Sequence, residues 1–199
     1  MAWNGETALP MGRALTATRR ARLRSDASLV RAAQRGSADA FAELFRRHWP
    51  RAHRAAWLVV HDAAAAEDVA QEAFVSVVRS LDRFDRRRPF APWLHRIVVN
   101  RAIDWARAHE LRRELSADSA PESAARERPA QAERPSDATL EALARLSPEQ
   151  RAVVVLRHLL DFTPSEIAQA LDLPQGTVNS RLRRGLDDLQ TLVERPGTR

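Results

Sequence analysis

The residues best placed for chemistry lie near the C-terminus. Thr177, Asn179, Ser180, Arg181, Arg183 and Arg184 fall within one short stretch. At helical spacing Val178, Leu182, Leu186, Leu189 and Val193 make one apolar face. Thr177, Ser180, Arg183 and Arg184 make the opposite one, with Arg181 at the flank. Guanidinium forks match guanine edges and phosphates, and hydroxyls serve either. Just upstream, Ser147-Pro148-Glu149-Gln150 and Thr163-Pro164-Ser165-Glu166 each have the pattern of a capped helix start, and Leu173-Pro174-Gln175-Gly176 reads as a break. A short helix opened at Thr163, a tight turn and an Arg-faced helix together form a module able to enter a major groove. A solvated amphipathic helix is the competing reading of the Arg stretch alone. The capped helix and turn before it favour the groove-reading one.

Two further sets stand in the N-terminal half. Asp68, Gln71 and Glu72 share the polar side of a helix expected over Asp62–Leu81, whose inward stripe is Val69, Ala73, Phe74, Val77 and Leu81. Acids near a helix start gain from its dipole, so a solvated first turn accounts for them. As a binding surface they need a basic partner, which nucleic acid is not. The loop Phe84–Pro92 joins Arg86, Arg87 and Arg88 to Phe90 and Trp93. Cations for a backbone and flat rings for unstacked bases are what single-stranded nucleic acid requires. The alternative is that the rings pin the loop to the core. Asn100, Asp104 and Arg107 form a polar stripe on the next helix, flanked by Arg96 and Arg101.

Other chemistries find little footing. His48, His53, His61, His95, His109 and His158 show no metal-ligand spacing, and no Gly-rich phosphate loop, nucleophile elbow or carboxylate pair occurs. The sequence therefore predicts no enzyme, no metal and no cofactor. The chain has no cysteine, hence no disulfide or thiolate site. No apolar run is long enough for a membrane span, and the N-terminus lacks the apolar core of a secretory signal. The net charge is +6 over 199 residues, and every basic side chain is Arg. GC-rich coding explains that bias at least as well as nucleic-acid binding does. The excess sits at the N-terminus: residues 1–35 hold seven Arg against two acids, whereas 141–199 balance. Positive charge on the Arg-faced helix is therefore local, which predicts modest non-specific affinity for DNA.

These sets must be held by helices, since apolar spacing is helical and no strand pattern occurs. Residues 1–26, with Gly, Pro and an Arg cluster, read as a disordered basic tail. Helices follow from Ser28: a short one stopped by Gly36, one capped by Ser37 and interrupted at Pro50, the Asp62–Leu81 helix, and one begun by Pro92 with Trp93, Leu94, Ile97, Val98 and Trp105 inward. Residues 110–137, broken by Ser116, Pro121, Pro129 and Pro135, read as a flexible linker. Residues 138–195 form a second helical unit, and 196–199 a tail. The expected class is all-α, with two small helical domains (27–109 and 138–195) on a tether.

In this order the segments resemble the sigma-70 family of transcription initiation factors. Ala66-Glu67-Asp68-Val69-Ala70-Gln71-Glu72-Ala73-Phe74 is similar to its polymerase-binding signature. Phe90 through Asp104 is similar to the segment that melts and reads the downstream promoter element. Leu146–Arg151 and Gly176–Leu182 resemble its C-terminal helix-turn-helix. With only two domains the chain resembles the extracytoplasmic-function group. The resemblance implies that Asp68, Gln71, Glu72 and Phe74 bind the clamp helices of the largest subunit of core RNA polymerase. It implies that Arg86, Arg87, Arg88, Phe90, Trp93, Arg96, Asn100, Arg101, Asp104 and Arg107 take the opened downstream element. Thr163, Thr177, Asn179, Ser180, Arg181, Arg183 and Arg184 would read the upstream element, with the second domain also docking on the polymerase flap. It further implies promoter DNA and an anti-sigma factor as partners, and a bacterial cytoplasmic location. A stand-alone dimeric helix-turn-helix regulator and a helical adaptor are the alternatives from other classes.

Overall fold

Ser25, Ser37 and Asp62 each accept a hydrogen bond, on the side chain, from the backbone N–H three residues on. Each thereby satisfies one of the donors that a helix start leaves open. These caps begin α1 (Asp26–Ala33), α2 (Ala38–Val60) and α3 (Ala63–Ser80). A 3-10 turn (Leu81–Arg83) and the arginine loop lead into α4 (Phe90–Leu115). The computed structural model describes residues 25–115 and 136–194, which are helical with no strand among them. The expected tail before residue 25, the linker over 116–135 and the last five residues lie outside the described residues.

Several boundaries differ from expectation, among them the start of α4, which takes Phe90–Pro92 from the expected loop. Helix α2 runs unbroken through Pro50. Pro50 is exposed, so solvent serves the carbonyl that its missing N–H leaves free. Helix α4 continues through Glu110–Leu115, six residues into the expected linker. Leu-Arg-Arg-Glu-Leu has high helix propensity, and no breaker comes before Ser116. Helix α1 begins at Asp26, capped by Ser25, ahead of the expected start at Ser28.

The second half holds α5 (Asp137–Arg145), α6 (Pro148–His158), α7 (Pro164–Leu171) and α8 (Gln175–Glu194). The first three are short and depend on their ends. Ser147 and Gln150 cap each other's backbone N–H groups reciprocally, at 3.3 and 3.1 Å. Thr163 and Glu166 do the same at 3.3 and 2.8 Å. Asp172, left-handed at φ 53°, closes α7, and the Leu173 N–H returns to the Ala168 carbonyl at 2.9 Å. The break is thus Asp172–Pro174, with Gly176 already inside the first turn of α8.

Leu29, Leu44, Val59, Val77, Leu94, Val98 and Val99 fill the first core; Val153, Leu156, Ile167 and Val178 fill the second. The two halves are not held apart. Helix α6 packs on α2 and α4, α7 packs on α4, and the buried apolar side chains of both halves form one continuous cluster.

Candidate nucleic-acid interface

Helix α8 presents the upstream-reading set. Val178 is buried, and Leu182 and Leu189 pack against the core. Leu186, expected inward, is 42% exposed. Gly185 takes the inward position instead: a Cβ there would stand 3.1 Å from Val154 Cγ2. A Cβ there would be in tight contact with α6, and Gly185 is buried where Leu186 is exposed. The side chain of Val193 lies outside the described residues. Arg183, Arg184 and Asn179 are exposed. Neither Arg183 nor Arg184 has a hydrogen-bond or ion-pair partner among the described residues. Ser180 donates to the Thr177 carbonyl at 2.9 Å, and Thr163 is occupied as the α7 cap. Its N–H and hydroxyl hold the Glu166 carboxyl below the ordinary range.

Helix α3 presents the acidic set. Asp68, Gln71 and Glu72 are exposed on one side. Phe74 is not on that surface: it is 3% exposed and packs on Phe45 and Trp49, with ring centroids at 4.7 and 6.0 Å. The position falls on the stripe that faces the core, so Phe74 supports the helix rather than touching a partner. Gln71 Nε2 donates to Glu67 at 3.0 Å. Glu72 accepts from Arg101 at 2.6 Å, and the same guanidinium donates to Ser76 Oγ at 2.7 Å. One acid of the expected polymerase face is thus paired with one cation of the expected strand face.

The arginine loop leaves Arg86, Arg87 and Arg88 exposed. Its rings do pin it down. Phe90 is 3% exposed, and Phe84, Phe90 and Trp93 pack together, Phe84 to Trp93 at 4.5 Å. A cavity of about 270 Å³ opens beneath the loop, lined by Asp26, Ala27 and Val30 of α1 and by Phe84, Arg86, Arg88, Pro89, Phe90 and Ala91. Phe90 thus borders a recess instead of offering an exposed ring. Behind it His48 meets Asp26 at 2.8 Å. Burial, with the charges of His48 and Arg51 adding, lowers the pKa of His95 to about 4. The ring is buried and stays neutral.

Along α4, Arg96 and Asp104 are exposed, but Asn100 and Arg107 are engaged by the second half. Asn100 Nδ2 donates to the Ala170 carbonyl at the end of α7, at 3.1 Å. Arg107 Nε donates to Glu149 at 2.6 Å. Burial raises the Glu149 carboxyl. The Arg107 bond, its own backbone N–H and the charges of Arg107 and Arg181 outweigh that and hold it below the ordinary range. Arg151 was not singled out by the sequence. It is 5% exposed and donates to the carbonyls of Leu143, Ala144 and Leu146 at the end of α5, and to the Val59 carbonyl at the end of α2. One cation therefore caps the negative ends of two helices, one from each half. Burial lowers its pKa to about 10, which leaves it charged near neutrality. Nothing in the sequence marks this Arg apart from the exposed ones.

No group of three or more metal-ligating side chains occurs among the described residues, and no helix there is long and apolar enough to cross a membrane.

A four-helix acidic-and-basic half followed by a capped helix-turn-helix defines a class of protein, and comparisons give the class its family. Residues 44–112 match the family model for sigma-70 region 2, and residues 136–189 match that for sigma-70 region 4. The chain is 37% identical, over 85% of each chain, to the ECF RNA polymerase sigma factor SigM of Mycobacterium tuberculosis. It is 35% identical to RNA polymerase sigma factor CarQ of Myxococcus xanthus, over 79% of this chain and 91% of CarQ. It is 28% identical to ECF sigma factor SigW of Bacillus subtilis, over 81% and 92%. A solved structure of CnrH in complex with the cytosolic domain of CnrY superposes with a TM-score of 0.63, at 28% identity, covering 86% of this chain and 99% of that one. The sigma factor RpoE of Bartonella quintana, solved with the anti-sigma factor NepR, superposes at 0.65 and shares the fold. The chain belongs to the sigma-70 family, in its extracytoplasmic-function group, and is an RNA polymerase sigma factor. The stand-alone regulator is not favoured.

Proposed function

We propose that the chain divides its work among three faces. The exposed Asp68, Gln71 and Glu72 of α3 bind the clamp helices of core polymerase, the two acids meeting basic groups there. The stripe Arg96, Asn100, Arg101, Asp104 and Arg107, with the arginine loop, takes the opened downstream strand. The face Thr177, Asn179, Ser180, Arg181, Arg183 and Arg184 of α8 reads the duplex upstream element, while the second half also docks on the flap. The domains are 27–109 and 138–195, extended by the helix ends at Asp26, Glu110–Leu115 and Asp137, and the protein acts in the cytoplasm without catalysis of its own.

One observation carries the reading: a single chain holds an exposed acidic helix face and, on other helices, two arginine-bearing faces. Acids repel phosphates, so the acidic face answers to a protein, and the arginines are left for nucleic acid. The cavity beneath the arginine loop supports capture of an unstacked base, since Arg86, Arg88, Phe84 and Phe90 line it together with the carboxylate of Asp26. Two weak modules gain strength when both engage one rigid platform. A solved sigma factor that shares the fold is bound to an anti-sigma factor, and we extend that class of partner to this chain. Run-off transcription with purified polymerase core tests the whole. A discrete promoter-dependent transcript appears only when the protein is added; identical transcripts with and without it would end the reading.

A further inference from the structure

We propose that the four arginines just ahead of α1, Arg19, Arg20, Arg22 and Arg24, join the arginine loop in a clamp on the phosphate backbone of the opened strand. The inference rests on the reading of that loop given above. It starts from where α1 begins. Asp26 and Ala27, the first two residues of α1, wall the same cavity as Arg86 and Arg88. Asp26 is fixed there: Arg47 donates to it at 3.1 Å, His48 meets it at 2.8 Å, and Ser25 caps the helix. The chain therefore enters the described fold at the cavity. At full extension, about 3.5 Å per residue, positions 19 to 24 all lie within about 20 Å of Ser25.

Charge says what this junction takes. Residues 19–26 and 84–91 together hold seven arginines against Asp26 and Asp85. Asp26 is engaged by Arg47 and His48, and Asp85 accepts the Arg87 backbone N–H at 3.0 Å. Arg86, Arg87 and Arg88 are exposed, with no side-chain partner among the described residues. Like charges gathered at one mouth repel each other until an anion lies between them. A base held in the cavity leaves its own phosphates at that mouth. Cations from two segments of the chain, the loop and the stretch ahead of α1, then meet one backbone. Guanidinium forks suit phosphate oxygens, and these contacts carry affinity without reading sequence. The arginines ahead of α1 would thus hold the strand in place while the loop and α4 read it.

Arg22→Gln with Arg24→Gln is the test pair, and it leaves the Ser25 cap and the core untouched. Arg31→Gln with Arg145→Gln, an equal charge loss at exposed sites of α1 and α5, is the control. Each full chain is assembled with polymerase core and bound, over a series of salt concentrations, to promoter DNA already opened across the downstream element. For the test pair the logarithm of the binding constant falls less steeply with log salt. The slope shrinks by about 1.4, that is about 0.7 for each of two phosphate contacts on a single strand. The control keeps the wild-type slope. Equal slopes in test pair and control overturn the proposal. So does weaker binding of polymerase core with an unchanged DNA slope, which would make these arginines a protein contact. A loss of the same size on fully paired promoter DNA, held closed in the cold, would assign them to the duplex and overturn the strand clamp. Should no chain give a promoter-dependent transcript, the sigma reading falls. The same slopes, measured for the free chains on a single-stranded oligodeoxynucleotide, then decide the clamp.

Discussion

The two arginine-bearing faces of this molecule are built from the same side chain and kept in opposite states. On α8, Arg183 and Arg184 extend into solvent with no partner among the described residues. On α4, Arg101 is held by Glu72 and Arg107 by Glu149. The halves that carry them differ as well. The first is made of long helices around a core rich in aromatic rings. The second has three short helices, two of them fixed by reciprocal caps, which support the 20-residue α8. Both faces lie on long helices, so helix length does not separate them: the α4 face is engaged by Glu72 of α3 and Glu149 of α6, whereas Arg183 and Arg184 of α8 are exposed.

The largest effect that sharpens this contrast belongs to α3. Asp68→Arg puts a cation where a basic partner is expected and weakens polymerase binding by about 2–5 kcal/mol, as for reversed charges in a desolvated contact. Co-elution of the variant with polymerase core on a sizing column checks it, and retained co-elution would remove α3 from the interface. Next, the two halves should part under acid. His95 belongs to the first half, whereas His158, the one histidine described in the second, is exposed. Burial holds the folded His95 pKa at about 4 against 6.5 unfolded. Between those values the unfolded chain takes up a proton that the folded chain refuses. Stability is therefore full above pH 6.5 and falls as pH drops towards 4, by on the order of 3 kcal/mol. His53, lowered by burial against the opposing charge of Glu67, adds in the same direction. Denaturant melts at stepped pH read the slope, and His95→Leu should flatten it; an unchanged slope would mean that other groups set it.

A smaller effect separates the faces directly. Arg183→Ala and Arg184→Ala each cost upstream recognition about 1–3 kcal/mol, the scale of one bidentate base contact. Run-off transcription from a promoter with intact and scrambled upstream elements measures this. Equal loss on both templates would reduce these arginines to phosphate contacts. The smallest effect compares caps. Ser147→Ala or Thr163→Ala costs about 1 kcal/mol of stability. On helices of 11 and 8 residues that loss should also appear as faster amide exchange through the whole helix. Ser37→Ala on the 23-residue α2 should fray only its first turn. Matching exchange profiles would break the contrast between the halves.

Much of this was legible beforehand, for reasons that differ from element to element. The caps at Ser37, Asp62, Ser147 and Thr163 are local, because each satisfies N–H groups a few residues away. The stripe Val69, Ala73, Phe74, Val77 and Leu81 is buried as its period requires. The exposed acids of α3 follow from that stripe. Phe74 as a partner-binding group does not, because the same period turns it inward. Pro50 misled because a proline on a solvated helix face removes a hydrogen bond that water replaces. Leu186 misled because its burial depended on Gly185, and a glycine's closeness to Val154 is a property of two crossing helices.

Local pattern in the chain fixed the helical class, the capped starts at Ser37, Asp62, Ser147 and Thr163, and the three chemically distinct faces. Hydrogen bonds of caps and the spacing of apolar side chains act over one or two turns of chain. Only the tertiary structure decided which charges are free. Arg151 reaching Val59, Glu149 reaching Arg107 and Asn100 reaching Ala170 join residues 42 to 92 positions apart. No local pattern records such pairs, since their energy exists only once two helices from opposite halves of the chain have met.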